Sequence, residues 1–427
     1  MKNTFIYLGL LFLSLASSLG CTNDTMEEVT EQALDYTNTG LPVIYINTKS
    51  GEDIASKDIY EEATIRIDDN KGRISLAEQN MQIHGRGNSS WYTFTKKRSY
   101  TIKLNSKEQL LGMPKDKKWV LLANYRDKTL IRNSIAWWIS SNIKQVKWTP
   151  RFHFVELVLN GQHRGTYQLV EQIKISENRL NINKMRATDS EPENITGGYI
   201  IELDRNIDTD HWEWIMPNMC SDVNRISIKE PKIDESNDVQ YNYIYNYLTK
   251  IDSLFGEGNI ETVMGKYIDM RSWATQWLIY EITGTPEPNG PNSWYTYKDR
   301  GDEKWHCGPA WDFDYKSFVP STSNKWINMD VIYLPQMLEY EPFRETLKQV
   351  WEEIEPLLPE LIEYIEEQNI LLERSATLNW SLYDKCLITD NRIENGDEFL
   401  SPYVAKLVMI EYLRKKWDFI SKNIGNI

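Results

Sequence analysis

From residue 41 onward, apolar and polar positions alternate with a period of two. LPVIYINT, ATIRIDD, RISLAEQNMQIHGRGN and RSYTIKLN read as strands separated by Gly, Asn and Asp turns, which predicts a β-rich N-terminal region. The period changes to a helical one over residues 121–143, LLANYRDKTLIRNSIAWWISSNI, with Leu130, Ile131, Ser134, Ile135 and Trp138 on one side. FHFVELVLNGQHRGTYQLVEQIKI then places two alternating runs around Asn160-Gly161, the pair most favoured in a tight hairpin turn. GGYIIELDR, residues 197–205, adds a strand, and a charge-rich linker over residues 229–238 leads into helices. From Tyr241 the pattern is mainly helical: YNYIYNYLTKIDSLF, MRSWATQWLIYEIT, FRETLKQVWEEIEPLLPELIEYIEEQNILLE and YVAKLVMIEYLRKKWDFISKNI. A single strand pair brackets Asp299 and Asp302 and leads into WDFD. The order predicts an α+β, two-lobed architecture with a cleft: a β-rich lobe over residues 42–205 and a mainly helical lobe over residues 206–427.

The first twenty residues combine a lysine, an apolar run over about residues 5–15 and small residues ahead of Cys21. This pattern reads as a bacterial lipoprotein signal whose mature chain begins at a lipidated Cys21, although Leu19 stands where a smaller residue is usual. Residues 21–41, with Asp24, Glu27, Glu28 and Glu31, read as a polar tether. The expected location is the bacterial cell envelope, at the outer membrane or cell surface, with the membrane reached through the lipid on Cys21. No later run approaches the ~20 apolar residues of a spanning helix. A net charge of −14 argues against nucleic acid as a partner, since such binding rests on cationic neutralisation. Sixteen Trp, 24 Tyr and 11 Phe fit either ring-stacked sugars or a thick core, and composition does not choose between them. Cys220, Cys307 and Cys386 have no CxxC spacing, which leaves at most one disulfide and no cysteine metal site.

The most informative chemistry lies in WDFD, where Asp312 and Asp314 sit among Trp311, Phe313 and Tyr315. Carboxylates in an apolar setting need a positive partner, either a divalent cation or a buried network with Arg86 or Lys103. Upstream, GTPEPNGPNSW supplies Glu287 and Asn292 on a turn-rich loop. A loop with an acid and an Asn, a strand pair and then an Asp-aromatic motif is the order in which kinase-like phosphotransferases lay out catalytic acid and metal ligands. Neither a Ser-His-Asp nor a Cys-His arrangement stands out. His84 reads as a core or loop hydrogen-bonding group, and Arg132 and Asn133 as pins between helix, sheet and cleft.

HGRGNSSW, KKRSYTIKL, LLANYRDKTLIRN, VLNGQHRGTYQLVEQI, GGYIIELD and GPAWDFDYKSF, in that order, resemble the CotH kinase-like family, named for a spore coat protein. The resemblance implies an atypical protein-kinase-like fold that binds ATP with a divalent metal, Mg²⁺ or else Mn²⁺ or Ca²⁺, and in some members phosphorylates proteins. It implies that Asp312 holds the metal on the nucleotide phosphates, with Asp314 beside it and Asn292 as a second ligand. Lys103 looks like the phosphate-pairing lysine, contested by Lys97 and Arg98; Arg86 would contact phosphate, and Glu171 would stand where the strand leaves for the other lobe. Members with kinase activity carry an aspartate in the loop that here reads GTPEPNGPN. Glu287 is the nearest acid, and its extra methylene moves a carboxylate by about 1.5 Å in a geometry that tolerates little error. Two readings follow: a kinase acting on a secreted or surface protein or a glycan, or a catalytically inactive pseudokinase that binds a glycan or another partner.

Overall fold

The computed structural model describes residues 34–88, 91, 96–206, 211–220, 225–389 and 395–427, with the side chains of residues 384–389 left aside. Cys21 and the leader lie outside the described residues, as do most of the tether and the side chain of Cys386. Seven strands close into a barrel: β1 (Val43–Thr48), β2 (Glu61–Asp68), β3 (Ile74–Arg86), β4 (Ser99–Glu108), β5 (Asp116–Leu122), β6 (Phe152–Leu159) and β7 (Gln162–Glu171). Their order is β1-β2-β3-β4-β5-β7-β6, and β6 closes the ring by pairing parallel to β1, with Ile44 opposite Leu157. The alternation read in the sequence is the cause. Ile65, Ile67, Met81, Ile83, Ile102, Leu104, Trp119, Leu121 and Leu169 are buried in one continuous core, while their neighbours in sequence face outward. Asn160 and Gly161 join β6 to β7 with φ of 51° and 74°, the left-handed values that a two-residue hairpin of this hand requires.

A second sheet, in the order β12-β11-β8-β10-β9, contains β8 (Tyr199–Leu203), β9 (Glu213–Ile215), β10 (Arg225–Glu230), β11 (Trp294–Lys298) and β12 (His306–Cys307). It draws strands from both sides of residue 205, because β8 pairs with β10 and β11. Val120 and Val170 on the outer wall of the barrel pack with Trp137 against Ile200, Tyr295, Tyr297 and Trp311 of the second layer. Barrel and second sheet are thus two layers of one unit, residues 34–427.

Among the described residues, eight α-helices complete this mixed α+β fold: α1 (Arg132–Asn142), α2 (Asp238–Gly256), α3 (Ile260–Lys266), α4 (Met270–Thr283), α5 (Leu334–Leu338), α6 (Glu341–Ile354), α7 (Leu358–Thr389) and α8 (Pro402–Asn423). The side chains of Asn237, Asp269 and Ser401 cap α2, α4 and α8, each accepting from a backbone N–H of the first turn. Helix α4 is buried on nearly every side, and its Glu281 is neutralised by Lys416 of α8 at 2.6 Å, both side chains fully buried.

Two sequence expectations change. The helical period over residues 121–143 holds only from Arg132, because residues 116–122 form a barrel strand and Asp127 turns the chain, accepting from the N–H groups of Thr129 and Arg132. The expected linker over residues 229–238 begins inside β10, since Lys229 and Glu230 belong to a strand whose other neighbour, β8, lies far away in sequence. Cys220 and Cys307 are free thiols.

The paired glycines before β8 are set by packing. A Cβ on Gly197 would stand 1.9 Å from the Asp299 carbonyl oxygen, and one on Gly198, at φ 93°, would stand 2.1 Å from that of Asn183. Both obstacles are backbone, which cannot rotate away. Gly197→Ala is expected to cost at least about 2 kcal/mol; an unchanged urea midpoint would show that the strand end yields instead.

Candidate functional site

Strand register places the candidate residues. Gln82 pairs with Lys103, His84 with Thr101 and Arg86 with Ser99, so Arg86, His84 and Lys103 lie on the outer wall of the barrel, with Lys118 opposite Lys103 on β5. Across from this wall, Glu202 of β8 pairs with Tyr295 of β11, and Leu203 with Trp294. Asp204 and Ser293 lie one residue beyond these paired strand ends. Arg86 reaches from this wall to the second layer, its guanidinium 5.2 Å from the ring centre of Trp311.

The acid segment is held on both sides of Asp312. Trp137 Nε1 donates to the Ala310 carbonyl at 3.0 Å, Tyr280 Oη to the Trp311 carbonyl at 2.9 Å, and the Phe313 N–H to Asn133 Oδ1 at 2.8 Å. Between these anchors Asp312 adopts a left-handed φ of 68°, a conformation that Asp tolerates better than most residues. Ser293 Oγ reaches Asp312 Oδ2 at 3.4 Å. The loop that carries Glu287 and Asn292 leaves α4 at Gly284, also left-handed, and makes a short 3-10 turn, Glu287–Asn289. It is clamped by Arg205, whose Nε and Nη2 donate to the Gly290 carbonyl at 3.0 and 2.8 Å. The Asn292 side chain bonds the Glu287 carboxylate, while its buried Oδ1 has no hydrogen-bond partner.

Glu287, Asn292, Asp312, Asp314 and Arg86 therefore converge. Sequence reasoning did not assign a role to Asp204 or to Arg126, which belong to the same group. Burial raises the Asp312, Asp314 and Glu287 carboxyls above the usual range; Asp312 raises the latter two further, and Arg86 and Arg126 only partly oppose the rise at Asp312. Asp204 is pushed up to about 7 by burial and by Glu202. These acids outnumber the nearby guanidinium groups, and burial disfavours their charged forms. All the close donors are oxygens, the set that suits a hard divalent cation. Among the described residues, no group of three or more His, Cys, Asp or Glu side chains is drawn together as metal ligands.

The remaining candidates lie elsewhere. Lys97 is buried where the barrel meets α7, donating to the carbonyls of Ala123, at 2.7 Å, and Thr166; desolvation lowers its pKa to about 7. Glu171 is buried against Arg151, with Nε and Nη2 both at 2.9 Å from its carboxylate, and near Arg179. Lys103 stands over the Tyr60 ring at 5.3 Å. The first glycine of HGRGNSSW also has a packing role, since a Cβ on Gly85 would enter the Trp91 ring.

Because the acid group binds protons more tightly in the folded chain than in the unfolded one, raising the pH from about 4 through the raised values removes stability. Without divalent cations, unfolding free energy is expected to fall between about pH 5 and 8, and Asp314→Asn to flatten the slope. A flat wild-type profile in that window would contradict these shifts.

No curated protein matches the chain. A family model described as CotH kinase protein matches residues 83–406, most of the chain, from within β3 to within α8. The match spans Arg86, the loop with Glu287 and Asn292, and the Asp312 segment, and the chain belongs to the CotH kinase family.

Proposed function

We propose that the cleft binds ATP with a divalent cation, Mg²⁺ or else Mn²⁺ or Ca²⁺, and that the protein is a kinase-like phosphotransferase acting on a secreted or surface protein or a glycan. The observation that carries this reading is the buried acid group facing Arg86 across the cleft. In it the barrel serves as the N-terminal lobe, and the helices with the second sheet as the C-terminal lobe. Asp312 and Asp314 would hold the cation, with the unpartnered Oδ1 of Asn292 as a third oxygen. When bound, such a cation neutralises charge on the transferring phosphoryl group and the leaving oxygen.

The residues of the chain supply position and proton handling. Arg86, stacked on Trp311, presents a planar set of N–H donors suited to phosphate oxygens. Once ionised, Glu287, whose basicity is raised by burial and by Asp312, would take the proton of an acceptor hydroxyl. Asn133 and Tyr280 hold the backbone of the acid segment, so that Asp312 does not reorganise on binding.

A second reading, an inactive pseudokinase that binds a glycan, is favoured by Glu287 standing where active members carry aspartate. It also has a surface to use: Trp212, Trp214, Tyr241 and Tyr245 form an aromatic shelf with ring centres 4.5 to 6.0 Å apart. The two readings separate in a thermal-shift titration, since a ligand of the native state raises the midpoint by mass action. ATP with Mg²⁺ is expected to raise the wild-type midpoint and not that of Asp312→Asn. An equal response from both proteins would remove the nucleotide reading.

We also propose a lipid anchor on Cys21 at the cell envelope. None of the described helices is long and apolar enough to cross a membrane. Cys21→Ser is expected to abolish incorporation of a fatty-acid label and to release the protein from the membrane fraction; labelling of the variant at wild-type level would sink the proposal.

A further inference from the structure

A cavity of about 240 Å³, separate from the acid group, lies where the turn after α1, the start of α4 and strand β12 meet the backbone that leads into WDFD. The chain turns at Gln145, left-handed at φ 65°, and Arg271 Nη2 fastens this turn to α4 by donating to the Lys144 carbonyl at 3.1 Å. Strand β12 is tied to the same helix, since the Cys307 N–H donates to Ser272 Oγ at 3.0 Å. Gly308, Pro309 and Ala310 add to the wall and stop one residue short of Trp311. None of Arg86, Glu287, Asn292, Asp312 and Asp314 lines the cavity. It is smaller than the ~300–1,000 Å³ of pockets that take drug-sized molecules, so it suits a small ligand.

The polar groups of the wall call for an acceptor. Lys144, Lys147, Arg271 and His306 line the cavity against one carboxylate, Asp269. Arg271 is paired with Glu353 at 2.7 Å, and His306 lies with Nε2 2.8 Å from Asp302 and Nδ1 3.6 Å from Asp269. Lys144 and Lys147 are exposed and make no ion pair among the described residues. Gln276 and Trp148 are 3% and 9% exposed, and the Nε2 of the first and Nε1 of the second have no hydrogen-bond partner among the described residues; nor has Nε of Arg271. The three unpartnered buried atoms of this wall are thus all donors, and a buried donor left unpaired is costly. Val146, Leu180, Ile279 and Pro309 give the same cavity an apolar side. We infer that it binds a small organic carboxylate, whose oxygens accept from Gln276 and Trp148 while Lys144 and Lys147 supply counter-charge at the rim and the hydrocarbon body packs on the apolar side. A carboxylate only accepts, so it meets these donors without bringing unmet protons of its own. The site does not depend on the function proposed above.

The test uses the full-length protein with benzoate and hexanoate, and benzyl alcohol as the uncharged comparison, followed by thermal shift and ligand-observed NMR. Both carboxylates are expected to raise the wild-type melting midpoint, and benzyl alcohol to bind at least about tenfold more weakly. Gln276→Met removes the buried donor at nearly constant volume and should weaken benzoate binding about tenfold. Lys144→Gln/Lys147→Gln changes exposed positions alone, so it should fold as wild type does and weaken benzoate about threefold. Asp312→Asn should bind benzoate like the wild type whatever becomes of its response to ATP with Mg²⁺, which separates this site from the nucleotide reading; loss of benzoate there would put the carboxylate on the acid group and overturn a separate site. Equal affinity for benzyl alcohol would make the cavity merely apolar, and inorganic phosphate binding as tightly as benzoate would make it a general anion site; either result overturns the proposal. So does an unresponsive wild type, or wild-type affinity in both the Gln276 and the lysine variants.

Discussion

The site depends on one buried hydrogen bond, from the Phe313 N–H to the side-chain oxygen of Asn133. Asn133 lies in the first turn of α1 and donates in turn to Asn124, which donates to Gln168 on β7. This chain of carboxamides fastens the acid segment to the barrel through groups that are all buried. Each bond is worth about 1 kcal/mol net, but an amide left unpaired there would cost about 1–3 kcal/mol, so the arrangement is favoured as a whole. With the Trp137 bond to Ala310 and the Tyr280 bond to Trp311, it leaves Asp312 little freedom to move. The left-handed backbone at Asp312 is stabilised by these neighbours rather than by its own preference.

Charge is organised on the same scaffold. Acids collect where the second sheet ends and the Glu287 loop folds back, and burial makes their mutual repulsion strong. Lys103 and Lys118 pair across β4 and β5 on the facing barrel wall. By contrast, the charges that serve the fold are paired internally: Arg132 lies at 2.6 Å from Asp397, and Lys416 at the same distance from Glu281, all four side chains almost wholly buried. Paired burial marks charges that hold the fold together. Burial of several carboxyls together marks the acid group.

Sequence alone determined the elements whose cause is local. Period-two alternation marked the barrel strands, because one face of each must be apolar; Asn160-Gly161 fixed a hairpin, because both residues accept positive φ; and the motif order around GPAWDFDYKSF carried the family resemblance. It also picked out Asp312, Asp314, Glu287, Asn292 and Arg86, because acids within aromatic runs and glycine-rich turns stand out along a chain. Tertiary structure decided what depends on partners far away in sequence. The parallel pairing of β1 with β6 closed the barrel, and β8 joined strands from beyond residue 205. Lys97 and Glu171 went into buried contacts because their neighbours come from Thr166 and Arg151, which no local pattern links to them. Asp204 came to the acids at the end of β8, and Lys118 came opposite Lys103 through strand register. Register is set by the pairing of whole strands and is not written in either strand by itself.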